Sequence, residues 1–256
     1  MRTTFLGTGT SHGVPEIGCR CAVCTSTNPK DRRLRSSILI EQGSGRVLID
    51  ASSDFRQQAL RHNIDELTDI LITHTHADHI LGLDDTRIYS RRSKRPITLY
   101  LDQRSDQRIR HIFDYAYDDS VQRGGGLPKF ENRIIEAGQP FSLGDLTISA
   151  IDLFHGKLPI LGYRINDLAY LTDCSSIPEH SYQHLEDLDV LVLDALRTRP
   201  HATHFCLEDA IAEARKIGAR QTYFIHMAHA LDHDQTNMDL PPTIELAYDG
   251  LVLGSV

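Results

Sequence analysis

The stretch His74-Thr75-His76-Ala77-Asp78-His79 follows directly on the apolar, β-branched run Ile70–Thr73. A short apolar run closed by polar residues reads as a strand, which places the motif on a tight strand-to-helix turn. Four possible ligands within six residues then converge on one point. Imidazole nitrogens and carboxylate oxygens suit zinc, manganese or iron. One histidine alone is more often a satisfied polar residue, but four groups at H-x-H-x-D-H spacing read as a metal centre.

A pair of metals needs more ligands, and other strands supply candidates at their carboxyl ends. Leu146–Phe154 runs into His155, Leu168–Thr172 into Asp173, and Gln221–Ile225 into His226. Each is weak by itself, because an aspartate at a strand end is ordinarily a turn former or helix cap. Together they put His or Asp after several strands, on the rim where α/β folds place their sites. Asp50 and Asp194 also end apolar strands and read as turn or supporting residues rather than direct ligands.

Further strand-like runs are Thr3–Leu6, Ser37–Ile40, Val47–Ile49, Ile97–Leu101 and Val190–Leu193, with Ser37–Ile40 and Val47–Ile49 spaced as a hairpin. Helical spacing appears at Phe55–His62 and at Leu207–Ile217, the latter stopping at Gly218. Hairpins mixed with strand–helix alternation predict an α/β sandwich of mixed sheets. No repeat, linker or low-complexity stretch divides the chain, so residues 1–256 read as one domain. The polar region Asp102–Gly126, ending in Gly124-Gly125-Gly126, reads as a mobile lid.

The 256 residues carry a net charge of −8, with a pI near 5.9. That balance counts against broad nucleic-acid binding, which needs a basic surface. The local exception, Arg87, Arg91, Arg92, Lys94 and Arg95, reads either as a solvated face or as a patch steering an anionic substrate. No segment approaches the ~20 apolar residues that span a bilayer, and MRTTFLGTGT lacks a signal-like apolar run. A cytoplasmic location and no membrane partner are expected. Five cysteines, an odd number, do not suggest a disulfide framework.

Three of those cysteines form Cys19-x-Cys21-x-x-Cys24. A closed tetrahedral zinc site needs four ligands, and His229 of His226-Met227-Ala228-His229 is the best fourth. Three residues apart, His226 and His229 can serve different metals. The alternative is a redox-active or merely buried cysteine cluster. Gly7-x-Gly9-x-x-x-Gly13 has the wrong spacing for a dinucleotide fingerprint, and no clear helix follows it.

His74-x-His76-x-Asp78-His79, followed in order by His155, Asp173 and His226, resembles the metallo-β-lactamase superfamily. The resemblance covers nearly the whole chain and implies a four-layer αβ/βα sandwich. It also implies that His74, His76 and His155 hold one metal, that Asp78, His79 and His226 hold a second, and that Asp173 bridges both. The cysteine loop and the opening Phe5-Leu6-Gly7-Thr8-Gly9-Thr10-Ser11-His12-Gly13-Val14-Pro15 are similar to one subgroup, the PhnP-like phosphoribosyl 1,2-cyclic phosphate phosphodiesterases. This implies hydrolysis of a small, cyclic ribose phosphodiester by two divalent ions (Zn or Mn, with Fe also compatible), beside one structural zinc. A homodimer is compatible with that family.

In phosphodiesterases of this superfamily a histidine just before a helix faces the site, and His204 matches that pattern better than His201. Its functional reading is an acid for the leaving oxygen or a clamp on the phosphoryl group. Its bland reading is a helix-cap or surface histidine. Three rivals to the phosphodiesterase remain: a nuclease of the tRNA 3′-processing type, a thioester or lactone hydrolase, and an inactive zinc-binding scaffold.

Overall fold

Strands that are apolar on both faces need cover on both sides, and this requirement sets the layering. The computed structural model describes residues 1–118, 120 and 126–254. β1 (Arg2–Gly7), β2 (Ser37–Gln42), β3 (Gly45–Ile49), β4 (Asp69–Leu71), β5 (Ile97–Leu101) and β6 (Phe130–Ile134) form one sheet. The C-terminal strand β14 (Val252–Leu253) extends it beyond β1, giving seven strands. β7 (Pro140–Leu143), β8 (Leu146–His155), β9 (Leu158–Ile165), β10 (Leu168–Leu171), β11 (Val190–Asp194), β12 (Gln221–Ile225) and β13 (Ile244–Leu246) form the second seven-stranded sheet.

Alternate residues along each strand serve different layers. Ile38, Ile40, Val47 and Ile49 face Ile148, Ala150, Tyr163 and Tyr170 of the other sheet, forming the central core. Their neighbours Leu39 and Leu48 point outward, onto Phe55 of α1 (Phe55–Arg61) and Ile109 of a later helix. On the far side Leu191, Leu193 and Phe224 pack against Ala210 and Ala214 of α6 (Leu207–Ile217). The result is helix, sheet, sheet, helix, as the sequence leads one to expect.

The short helices α2 (Ala77–Ile80) and α3 (Arg87–Ser93) follow β4. Asp102 caps α4 (Gln103–Ile112) by accepting from the Ser105 N–H at 2.7 Å, and α5 (Asp114–Tyr117) continues it. Ile109 and Phe113 are buried in the outer core. The lid reading is therefore corrected for residues 102–117: they form a packed helical layer, because the polar stretch still carries apolar residues at helical spacing. Gly124 and Gly125, on which the lid reading also rested, lie outside the described residues. α7 (His233–Asp239) closes the chain's last turn before β13.

β9 is absent from the sequence reading because Pro159 and Gly162 interrupt it. Pro159 sits near the strand start, and Gly162 is required by contact: a Cβ there would lie 2.7 Å from Leu171 and 2.8 Å from Leu153.

Strand direction fixes the rim. β3, β4 and β5 run parallel, as do β10, β11 and β12. β8 is antiparallel to β9, which is antiparallel to β10, so β8 runs with β10. The carboxyl ends of β3, β4, β8, β10, β11 and β12 thus present Asp50, His74, His155, Asp173, Asp194 and His226 on one side.

The loop after β1 is tied to this rim. The buried carboxylate of Asp249 accepts from the Thr8 hydroxyl at 2.8 Å and from the Leu34 N–H at 2.7 Å. Burial raises its pKa to about 7, against those two hydrogen bonds and Arg61. A folded-state value above the ordinary 3.8 gives stability that is fully present in acid and lost as pH rises toward about 7. Compared with Asp249→Asn, the native chain should lose melting temperature between pH ~4 and ~7 and level off above it. A difference between the two that stays flat with pH, in parallel thermal scans, would contradict this.

Candidate metal centre

His74 lies three residues beyond the end of β4, and α2 begins three residues after it with Ala77. This turn aims His74, Asp78 and His79 inward, all buried, while His76 stays exposed. The ligand atoms of His74, His76 and His155 lie within 4.8 Å of one another, as do those of Asp78, His79, Asp173 and His226. Asp173 joins the two groups: its carboxylate is 3.3 Å from His79 Nε2, 3.2 Å from His226 Nε2 and 4.0 Å from His74 Nε2. All seven residues expected from the sequence come together.

Hydrogen bonds at the outer nitrogens fix which atom faces inward. Asp50 accepts from His79 Nδ1 at 2.7 Å and from the Thr73 hydroxyl at 2.7 Å. With its proton so used, Thr73 Oγ1 accepts from His74 Nδ1 at 3.0 Å. The Thr203 carbonyl accepts from His155 Nδ1 at 2.7 Å. Each imidazole thus keeps its Nε2 lone pair free, the arrangement found around metal-ligating histidines. His74 Nε2, His79 Nε2 and His226 Nε2 are buried without a hydrogen-bond partner. Buried nitrogens without partners are costly, and a cation would satisfy all three.

Charge gives the same answer. Burial opposes ionisation of Asp78 and Asp173, yet the neighbouring His79 and His226 hold both carboxyls below the usual range. Burial also opposes a charge on His79, but Asp173, Asp78 and Asp50 raise it well above an ordinary histidine. The pocket attracts positive charge. Asp50, Asp173 and His226 also have φ of 58°, 56° and 58°, in the left-handed region. Such backbone costs on the order of 1–3 kcal/mol per residue and tends to persist at functional sites.

Asp194 supports a second edge. Its Oδ1 is 3.4 Å from both His204 Nδ1 and His226 Nδ1, and Oδ2 accepts from the Phe205 N–H at 3.1 Å. His204 is not the helix cap, a position taken by Cys206. Its ring lies 4.6 Å from that of His155 and 4.9 Å from that of His226, at the edge of the cluster. His201 is exposed and lies further out, 5.1 Å from His204 ring to ring. Both line a cavity of about 560 Å³ together with His12, Arg197, Arg199 and His229. Sequence reading missed His12, Arg197 and Arg199, since exposed loop residues carry no periodic signal. The basic group Arg87–Arg95 is not part of this cavity, and Arg87 pairs with Asp84 instead.

Cys19, Cys21 and Cys24 surround His229, with Sγ to Nδ1 distances of 3.3, 3.7 and 3.3 Å. Ligands of a tetrahedral zinc, at ~2.3 Å for sulfur and ~2.0 Å for nitrogen, would be separated by about 3.5 Å. Backbone N–H groups of Glu16 and Cys24 donate to Cys24 Sγ and Cys21 Sγ, both at 3.4 Å. The bond lowers the pKa of the Cys21 thiol, while burial outweighs it at Cys24 and pushes that thiol up to about 11. Gly9 permits the loop that carries this cluster, because a Cβ there would lie 2.8 Å from the Arg33 carbonyl. Its N–H donates to Leu34, and that of Thr10 to Met227, so these donors serve the fold and not a phosphate.

Comparison with known proteins agrees with this geometry. A Beta-lactamase superfamily domain matches residues 45–227, a span that includes His74 through His226 but not the cysteine loop. A Porphyromonas gingivalis protein named octanoyltransferase is 40% identical over 254 residues, 98% of this chain and 51% of its own length. The chain therefore spans about half the length of that relative. Coenzyme PQQ synthesis protein B of Methylobacterium radiotolerans is 28% identical over 228 residues, 76% of this chain and 72% of that protein. Among solved structures, a diphosphatase from the PhnP family has a TM-score of 0.91 at 43% identity, covering 99% of this chain and 97% of that one. Zn(2+)-bound PqqB from Methylobacterium extorquens has a TM-score of 0.79 at 21% identity over the whole of both chains. Human tRNase Z, short form, has 0.70 at 19% identity over 99% of each. At those two identities the likeness shows the fold alone. The chain belongs to the β-lactamase superfamily and has the metallo-β-lactamase fold.

Proposed function

We propose that the chain is a two-metal phosphodiesterase acting on a small, cyclic ribose phosphodiester. The observation that carries this reading is the set of buried, unpartnered Nε2 atoms of His74, His79 and His226 around the carboxylate of Asp173. His74, His76 and His155 would hold one cation and Asp78, His79 and His226 the other, with Asp173 between them. Cys19, Cys21, Cys24 and His229 would hold a structural zinc. Divalent ions in such a pair supply Lewis acidity toward a phosphoryl oxygen and acidify water.

The chain's own residues orient the reaction. Asp50, Thr73 and the Thr203 carbonyl fix the ligand imidazoles, and Asp78 would direct the nucleophile. Burial and His226 push His204 down to about 4. Its imidazole therefore meets substrate neutral, with Nδ1–H toward Asp194 and Nε2 able to accept a hydrogen bond. To protonate a leaving oxygen it must first take up a proton during the reaction.

Support for phosphoryl over acyl chemistry comes from the PhnP-family diphosphatase, which matches nearly the full length of both chains. Octanoyl transfer is the name of a protein about twice as long and is not carried over. The net charge of −8 counts against a long RNA substrate. No described helix is long and apolar enough to cross a membrane. A reducing, cytoplasmic compartment suits the free thiols of the cysteine loop.

Chain purified without chelator should carry about three metals by mass spectrometry and hydrolyse bis-p-nitrophenyl phosphate until a chelator is added. About one metal and no hydrolysis, even with added manganese or zinc, would favour the inactive scaffold. Asp173→Ala and His76→Ala should each lower turnover at least ~100-fold without global unfolding. Near-normal turnover in either folded, metal-depleted variant would sink the mechanism. His204→Ala should slow alkoxide leaving groups more than p-nitrophenolate, which leaves without a proton. Equal losses on both would assign His204 to clamping the phosphoryl group. A panel of cyclic phosphates, diphosphates and a tRNA precursor, ranked by kcat/KM, tests the substrate class, and preference for the precursor would move the nuclease forward.

A further inference from the structure

Arg33 is the largest fully buried side chain among the described residues, at 1% exposure. Burying a guanidinium is unfavourable, and apolar residues of similar volume often replace buried ion pairs without loss of stability. What an apolar side chain cannot do is bind carbonyls. Arg33 Nη1 donates to the Ala228 carbonyl at 3.1 Å and Nη2 to the Leu231 carbonyl at 2.6 Å. Those two residues bracket His229, and Ala228 lies two residues beyond His226.

Arg33 also reaches the cysteine loop through its backbone. Its N–H donates to the Val14 carbonyl at 2.7 Å and its carbonyl accepts from the Val14 N–H at 2.8 Å. Val14 packs against Val23 and Cys24. Asp31 completes the brace: its Oδ1 is 3.4 Å from Arg33 Nη2 and accepts from the His233 N–H at 2.9 Å. One residue thus ties the base of the Cys19–Cys24 loop to the segment carrying both His226 and His229.

We propose that Arg33 is a positioning residue that sets His226 and His229 together, coupling the thiolate cluster to the hydrolytic site. The proposal rests on the metal reading above. A lysine keeps the charge but cannot fork between two carbonyls. A methionine fills the space with no donor.

The test uses full-length Arg33→Lys and Arg33→Met, purified as the native chain is. Three quantities are measured: thermal unfolding, release of zinc to a chromogenic chelator, and kcat and KM on bis-p-nitrophenyl phosphate. Both variants should fold, Arg33→Met with a lower melting temperature because it leaves the buried Asp31 carboxyl and the Ala228 and Leu231 carbonyls without their donor. Zinc should leave the thiolate site at about 10-fold lower chelator concentration or less, and kcat should fall about 10-fold with little change in KM. Loss of zinc retention in folded Arg33→Lys, which keeps a cation beside Asp31, is a result that a merely charge-balancing or space-filling arginine would not give. Native zinc retention and kcat in both folded variants would overturn the proposal alone. Unfolding of both variants would also overturn it, making Arg33 a folding requirement. A native chain that binds no zinc would overturn the metal reading and this proposal with it.

Discussion

Two carboxylates, Asp78 and Asp173, are buried beside imidazole nitrogens that have no hydrogen-bond partner. Assembling such a cluster in a protein interior is unfavourable unless positive charge compensates it and each ring is fixed from behind. Much of the architecture meets that constraint. Parallel strands in both sheets bring their carboxyl ends to one rim, and the side chains that converge there come from segments far apart in the chain. Asp50 and Asp194 end their own strands one layer behind the ligands, where they orient His79 and His204.

The cluster sits where two separately formed sheets meet, so its geometry depends on how the sheets are joined. The central core does most of this through apolar contact. At the rim the joint is polar. The Thr8 carbonyl accepts from the Met227 N–H at 3.0 Å, Thr10 donates back to Met227 at 3.1 Å, and Arg33 braces the segment just beyond. Asp249 fastens the other side of the same loop. The loop that begins as a glycine-rich turn is therefore a structural bridge between the thiolate cluster and His226.

The same layering serves proteins with different names, including PqqB and a tRNase Z, so the fold by itself does not choose a substrate. The cavity beside His204 is lined by Arg197, Arg199, His12 and Glu16. Its two guanidinium groups suit an anion, and a volume of about 560 Å³ is in the range of small-molecule sites.

The sequence alone determined the motif at His74–His79, the strands that carry His155, Asp173 and His226, and a sandwich of mixed sheets, while its four layers were implied by the family resemblance. Those features are local: hydrophobic runs have a period, and a ligand-rich turn has a spacing. The cysteine loop was legible for the same reason, and His229 followed from the need for a fourth ligand. Only the tertiary structure decided what stands behind the ligands. Asp50 looks like any aspartate at a strand end until its carboxylate is found 2.7 Å from His79. Arg33 lies in no pattern, and its role comes from carbonyls nearly two hundred positions away. The helical layer at 103–117 was obscured by its polarity, since only Ile109 and Phe113 among its residues are buried apolar groups. β9 was obscured by a glycine whose need arises from Leu153 and Leu171 on neighbouring strands. Contacts between distant segments leave no period in the chain, which is why the three-dimensional arrangement was needed to find them.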